Sequence, residues 1–290
     1  MSISEVYKGG AVDEGVSKIY LGDTLAYERS GGGGYDDATQ ALLDEATTDG
    51  YTAASGSVLT ALDTFITTLK SDGVWALLDA IWLPATNGDS DFATYNLKDP
   101  DSYQLTKVNS PTFTSLQGFS TDGSSSYLNT NFNPSTNGVN LSLNAASIGV
   151  YMRINNAGGN FNTPIGARDG AGILGLRSRS NGNVRINANS LTDSAHTSIM
   201  TSGIGLGHVN RANSTNEVFY NRGSLDVNKS ASSDSIPSGN VFIGALNNSG
   251  AQSFWDGQVS MAFMGGDLSS KATEFYTAIQ TYMTSLGTQV

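Results

Sequence analysis

Cysteine is absent from the 290 residues, which excludes a disulfide framework and a thiolate metal site. Histidine occurs twice, as His196 in "TDSAHTS" and His208 in "GLGHVNR", and neither accompanies a nucleophile elbow. A Ser-His-Asp hydrolase is therefore not expected, and both histidines read as surface or strand-end residues. No apolar run approaches the roughly 18 residues of a membrane span. The start, MSISEVYKGG, has neither a basic n-region nor an apolar h-region, so no secretory signal is expected. A soluble chain without membrane insertion follows. Basic residues are scarce: 15 Lys and Arg stand against 26 Asp and Glu, a net charge of −11. An acidic chain repels nucleic acid, so no nucleic-acid partner is expected.

Glycine is abundant, at 34 residues, and Ser, Thr and Asn are frequent. This mixture suits short strands joined by tight turns. The charge is unevenly placed. Residues 1–91 hold 15 acidic and 4 basic residues, whereas residues 92–270 hold 10 of each. The whole surplus lies in the first third, which argues for modules with different roles.

The first 28 residues repeat a phrase. Val6-Tyr7-Lys8-Gly9 returns as Ile19-Tyr20-Leu21-Gly22, each copy followed by an aliphatic residue three positions after its glycine. Each copy reads as a small hairpin, because Gly9-Gly10 and Gly22-Asp23 supply the positive φ of a tight turn. Such hairpins are marginal alone and need a partner surface. Gly31–Gly34 reads as a flexible linker. Domain limits are thus expected at 1–30 for a β-hairpin module, 31–35 for the linker, 36–85 for a helical segment and 86–290 for a sandwich with a C-terminal helix.

Residues 36–83 read as helical. Asp36 or Asp37 caps the first helix and Gly50 stops it. Val58, Leu59, Leu62, Phe65, Ile66 and Leu69 share one face of a second helix. Val74, Trp75, Leu77, Leu78, Ile81 and Trp82 form a third apolar run. From 85 to 266 the pattern becomes apolar alternation bounded by Gly, Asn, Asp and Ser, the mark of an all-β sandwich or barrel. Val241 with Ile243, and Val259 with Met261 and Phe263, are expected to share an inward face. A closing amphipathic helix carries Phe275, Ile279, Met283 and Leu286.

Four phrases resemble concanavalin A-like, laminin-G-like domains: Gly118–Leu128 ("GFSTDGSSSYL"), Glu217–Gly223 ("EVFYNRG"), Ser238–Gly244 ("SGNVFIG") and Phe254–Val259 ("FWDGQV"). The resemblance covers roughly residues 90–286 and implies an antiparallel β-sandwich. The "KIYLGDTLAYE" phrase, Lys18 to Glu28, is similar to a short β-module of bacteriophage tail and other virion proteins. This likeness implies a virion structural protein of tail- or head-fibre type. Its anchor would be the first module, through Val6, Tyr7, Ile19, Tyr20, Leu21 and Leu25. The implied partners are other virion proteins, further copies of the chain in a homo-oligomer, and a host-surface glycan.

Three functions compete. Glycan attachment needs planar donors and acceptors beside an aromatic face. Arg177, Arg179, Asn181, Asn183, Asn247 and Gln252, with Trp255, are the candidates; Asn155, Asn156, Asn160, Arg168, Asp169 and Asn248 add to the rim. The same residue types dominate ordinary turns. A purely structural capsid-decoration, head-fibre or tail role needs no ligand. Glycan hydrolysis needs two flanking carboxylates. The Glu-x-Asp-x-x-Glu run that the resembling enzymes carry is missing, and Glu217 is the one glutamate in the sandwich. No catalytic residue is expected. No cofactor is required, although Asp89 and Asp91 in "NGDSD" have oxygen-ligand spacing that suits Ca²⁺.

Overall fold

The computed structural model describes residues 18–21, 24–28, 34–156, 162–178, 184–192, 195–196 and 204–290. The chain divides into two compact units, Met1–Tyr35 and Asp36–Val290. In the first, β1 (Lys18–Leu21) pairs antiparallel with β2 (Thr24–Glu28), with Ile19 opposite Tyr27 and Tyr20 opposite Leu25. The second expected hairpin is therefore present. The first, with Val6 and Tyr7, lies outside the described residues.

The second unit begins with α1 (Asp37–Asp49) and α2 (Gly56–Ser71). Then follow β3 (Leu78–Trp82), β4 (Thr106–Val108), β5 (Thr112–Thr114), β6 (Gly118–Asp122), β7 (Tyr127–Asn129) and the short α3 (Pro134–Asn137). The long β8 (Ala146–Asn156) leads to β9 (Ile165–Arg168), β10 (Ile173–Ser178), β11 (Val184–Ala188) and β12 (Ala195–His196). Next come β13 (Gly205–Arg211), β14 (Asn216–Asn221), β15 (Ser224–Ser230), β16 (Phe242–Ile243), β17 (Leu246–Asn247) and β18 (Ala251–Gln252). The chain closes with β19 (Asp256–Gly265) and α4 (Ala272–Ser285).

These strands form two sheets packed face to face, an antiparallel β-sandwich. One sheet runs β15-β14-β13-β8-β19-β6-β5, and the other β12-β11-β10-β9-β16-β7-β4, with β17 and β18 appended beside β9. The Asp36 carboxylate accepts the Ala38 N–H, and Gly50 turns left-handed at φ 74° to end α1.

Residues 78–82 are a strand, which corrects the expected third helix. Trp75–Leu77 makes one 3-10 turn, and Leu78–Trp82 then pairs antiparallel with the end of β19. Along its outer side β19 is bonded by β6 over Asp256–Val259 and by β3 over Ala262–Gly265. Four of the five residues Leu78–Trp82 are apolar, a pattern that suits a buried strand as well as a helix, and the open half-edge of β19 decides for the strand. Residues 36–85 accordingly do not stand apart from the sandwich, since one sheet is incomplete without them.

Two cores result. Ile148, Val150, Met152, Val209, Phe219, Val259 and Met264 fill the space between the sheets. Tyr151, Leu206, Met261 and Phe263 project from the opposite face. They pack with Leu59, Phe65 and Ile66 of α2 and Phe275, Ile279 and Met283 of α4. Val259, Met261 and Phe263 do not share one face as expected. The pairing of β8 with β19 shifts register between Val259 and Met261, and the extra residue there flips the phase of everything after it.

Gly149 shows how tightly the helix-facing side is fitted. A Cβ at this position would lie 2.4 Å from the His208 Cβ and 2.7 Å from a Phe263 ring carbon. Gly149→Ala is expected to destabilise the protein by about 1–3 kcal/mol through overpacking. A lowered urea midpoint at unchanged slope would register it.

Candidate functional site

The expected glycan residues do not converge. Arg177, on β10, is 3% exposed, and its guanidinium donates to Asn187 Oδ1 at 2.7 Å. Trp255 is fully buried in the inter-sheet core, with its indole over Gly257, where a Cβ would lie 2.0 Å from the ring. Neither can face a ligand, and both assignments are corrected. Asn247 donates to the Asn240 carbonyl at 2.7 Å and accepts the Gly250 N–H at 3.3 Å. Gln252 Nε2 donates to the Asn248 carbonyl at 3.1 Å. These amides stabilise their own hairpin. Arg179, Asn181 and Asn183 lie outside the described residues.

A different set comes together on the outer face of the second sheet. Val241 and Ile243 point into the core, so the strand alternation turns Phe242 outward. Phe242 is paired across the sheet with Asn129 on one side and Gly166 on the other. Tyr127 shares this outward face, its ring 4.5 Å from that of Phe242 and tilted by 32°. Phe254 completes the group, 6.3 Å from Tyr127. Tyr127 and Phe254 are each half-buried, which leaves ring surface open, whereas Phe242 is covered and serves as their base. Burying the larger ring of the Phe254-Trp255 pair sets the smaller one outside. The signal that could have found this cluster is an aromatic at the outward position of a strand whose neighbours point inward.

The loops around these rings are held by carboxylates acting on backbone. Asp122 accepts the N–H groups of Ser124, Ser125 and Ser126 at 2.8–2.9 Å, and these donors hold its carboxyl well below the usual range. Asp89 accepts from Thr52, Asp91 and Phe92. Partial burial alone would raise the Asp89 carboxyl, but the backbone donors outweigh it and the net direction is down. Asp91 is paired with Lys107 at 2.7 Å. The Ca²⁺ candidates are thus each engaged elsewhere. Among the described residues no group of three or more His, Cys, Asp or Glu could hold a metal.

Asp256 stands opposite Asp122 across β19 and β6, but a carboxyl held as low as Asp122 cannot serve as a general acid at neutral pH. Burial pushes the Glu217 carboxyl upward, yet its side chain is fully enclosed between Arg211 and Lys229. His208 is fully buried, and the side chain of His196 lies outside the described residues.

No protein-family model and no curated protein matches the sequence. Among solved structures, a Trypanosoma rangeli sialidase in complex with 2,3-difluoro-KDN aligns over 77% of this chain at 11% identity, with a TM-score of 0.52. A mutant of that sialidase displaying trans-sialidase activity aligns over 77% at 14% identity, with a TM-score of 0.50. The chain spans about 40% of the length of the first and 39% of the second. At this identity the likeness is one of fold. It agrees with the mainly β sandwich described above.

Proposed function

We propose that this chain is a non-catalytic, carbohydrate-binding sandwich carried on a phage particle. The observation that carries the binding reading is the pair of half-buried, outward rings of Tyr127 and Phe254, with Tyr127 packed on the buried Phe242. Open aromatic faces beside amide groups offer sugar C–H faces a surface and sugar hydroxyls their partners. The virion reading rests on the resemblance of residues 18–28 to phage modules, with Ile19, Tyr20, Leu21 and Leu25 in the hairpin that would anchor the chain. The separation of that hairpin as its own unit supports it. Single sites of this kind are weak, and several copies on one particle gain by multivalency, so a homo-oligomer is the working form.

A glycan array probed with the full chain tests the binding reading. Tyr127→Ala or Phe254→Ala should weaken any signal by up to roughly tenfold, the worth of one aromatic contact. Unchanged signals in both would remove the cluster from the site. Mass spectrometry of purified particles tests the virion reading, which fails if the chain is missing. A purely structural role without ligand is favoured by one observation: Asn247, Gln252 and Asp169 spend their side chains on turns.

A further inference from the structure

Where β4 leaves the second sheet and β5 enters the first, the crossover borders an open cavity of about 370 Å³. It is lined by Ser90, Lys107, Asn109, Ser110, Phe113 and Phe119. The volume falls in the range of small-molecule sites. Phe119 is fully buried, and Phe113, 5.2 Å from it, is half-buried and presents a ring to the cavity. Hydroxyl, amide and ammonium groups make up the rest of the wall. The aromatic cluster is its neighbour, since Val108 pairs with Tyr127 and the next residue, Asn109, lines the cavity.

The backbone of the wall is strained. Asn109 and Ser110 are consecutive left-handed residues, at φ 53° and 58°. Asparagine tolerates that conformation, but serine does so poorly, and the following Pro111 further biases Ser110 toward extended backbone. The strain is held by ties from both sides. Asn109 Nδ2 donates to the Ser125 carbonyl at 3.0 Å. Lys107 Nζ donates to Asp91 Oδ1 at 2.7 Å and to Ser90 Oγ at 3.1 Å. Backbone strain kept at the wall of a cavity points to a use for that shape.

We propose that this cavity is the subsite for one neutral hexopyranose unit; the proposal rests on the glycan-binding reading above. The Asp91 carboxylate matches the Lys107 charge, so no net positive charge remains to hold a carboxylate or phosphate. Asp91 keeps 50% of its side-chain surface exposed beside the cavity and can accept from a sugar hydroxyl. Ser90, Ser110 and Asn109 supply further partners, and the Phe113 ring supplies the apolar face.

Titration calorimetry and saturation-transfer NMR on the full chain would test this. The probes are the methyl glycosides of glucose, mannose and galactose, with N-acetylneuraminic acid as the anionic probe. At least one neutral glycoside should bind better than neuraminic acid. Lys107→Met removes the tie that holds Asp91 and Ser90 in place, and Asn109→Ala removes a polar partner; each should lower its affinity roughly tenfold. Ser110→Gly should raise the melting temperature by relieving strain and weaken binding several-fold through loss of the hydroxyl. Tighter binding of neuraminic acid overturns the proposal. So does unchanged affinity in Lys107→Met and Asn109→Ala while Tyr127→Ala abolishes binding, an outcome that leaves the aromatic site standing. No binding by any of these probes, together with an empty glycan array, overturns both.

Discussion

Acidification should destabilise this protein steeply between about pH 6.5 and pH 3, and His208→Phe should remove that component. The imidazole of His208 is fully buried, stacked on Tyr220 at 4.9 Å and edge-on to Phe263 at 5.8 Å. Neither ring nitrogen has a hydrogen-bond partner among the described residues. Burial favours the neutral ring and lowers its pKa to about 3, against about 6.5 in an unfolded chain. The unfolded state therefore binds more protons throughout that interval. Stability is fully present above about pH 6.5 and falls as the pH drops, by ~1.4 kcal/mol for each pH unit while the difference lasts. Asp89, Asp122 and Asp169, whose carboxyls are held low by backbone donors, add their own losses at the acid end of the range. Those losses are common to wild type and variant. Melting temperatures of the two proteins against pH should diverge below about 6.5, with the variant the more stable. Parallel curves would show that His208 is solvated or paired in solution.

Glu217→Gln should cost about 3–5 kcal/mol, on the order of 10 °C in melting temperature. Glu217 is enclosed at one end of the sandwich, on β14. Its Oε1 accepts from Lys229 Nζ at 3.0 Å, and its Oε2 lies 3.5 Å from Arg211 and accepts the Ala188 N–H of the opposing sheet at 2.9 Å. Arg211 also donates to the Ala231 carbonyl and Lys229 to that of Thr192. The glutamine keeps a group for Ala188 but leaves two enclosed cations without their nearest counter-charge. Desolvated charges without compensation are the expensive case, whereas replacing all three can be neutral. Thermal unfolding of Glu217→Gln beside the combined Glu217→Met, Arg211→Met, Lys229→Met protein should show a large loss in the first and a much smaller one in the second. Equal losses would mean that shape, not charge balance, holds this end together.

The candidate site was less legible than the fold, and particular residues show why. The strand alternation around Val241 and Ile243 was readable, and it already implied that Phe242 faces out. For Phe254-Trp255 the alternation says that one ring is buried, but not which. The core volume beside Gly257 decides in favour of the indole. Arg177 looked like a rim residue because charged side chains are rarely buried. Its donation to Asn187 is a cross-strand event that composition cannot show. Asn247 and Gln252 have side chains that commonly bond nearby backbone, and they do so here from the ends of β17 and β18.

Sequence alone determined the sandwich class, the limits and caps of α1, the apolar faces of α2 and α4 and the hairpin over residues 18–28. Each depends on period, turn chemistry or capping, which act within a few residues of the chain. Only the tertiary structure decided that residues 78–82 are a strand, because the choice depends on the open half-edge of β19, about 180 residues away. It also decided the phase of β19. A single extra residue before Met261 sends that side chain and Phe263 to the helices instead of the opposing sheet. Such outcomes turn on which partner is present across a sheet, and a periodic pattern carries no record of its partner.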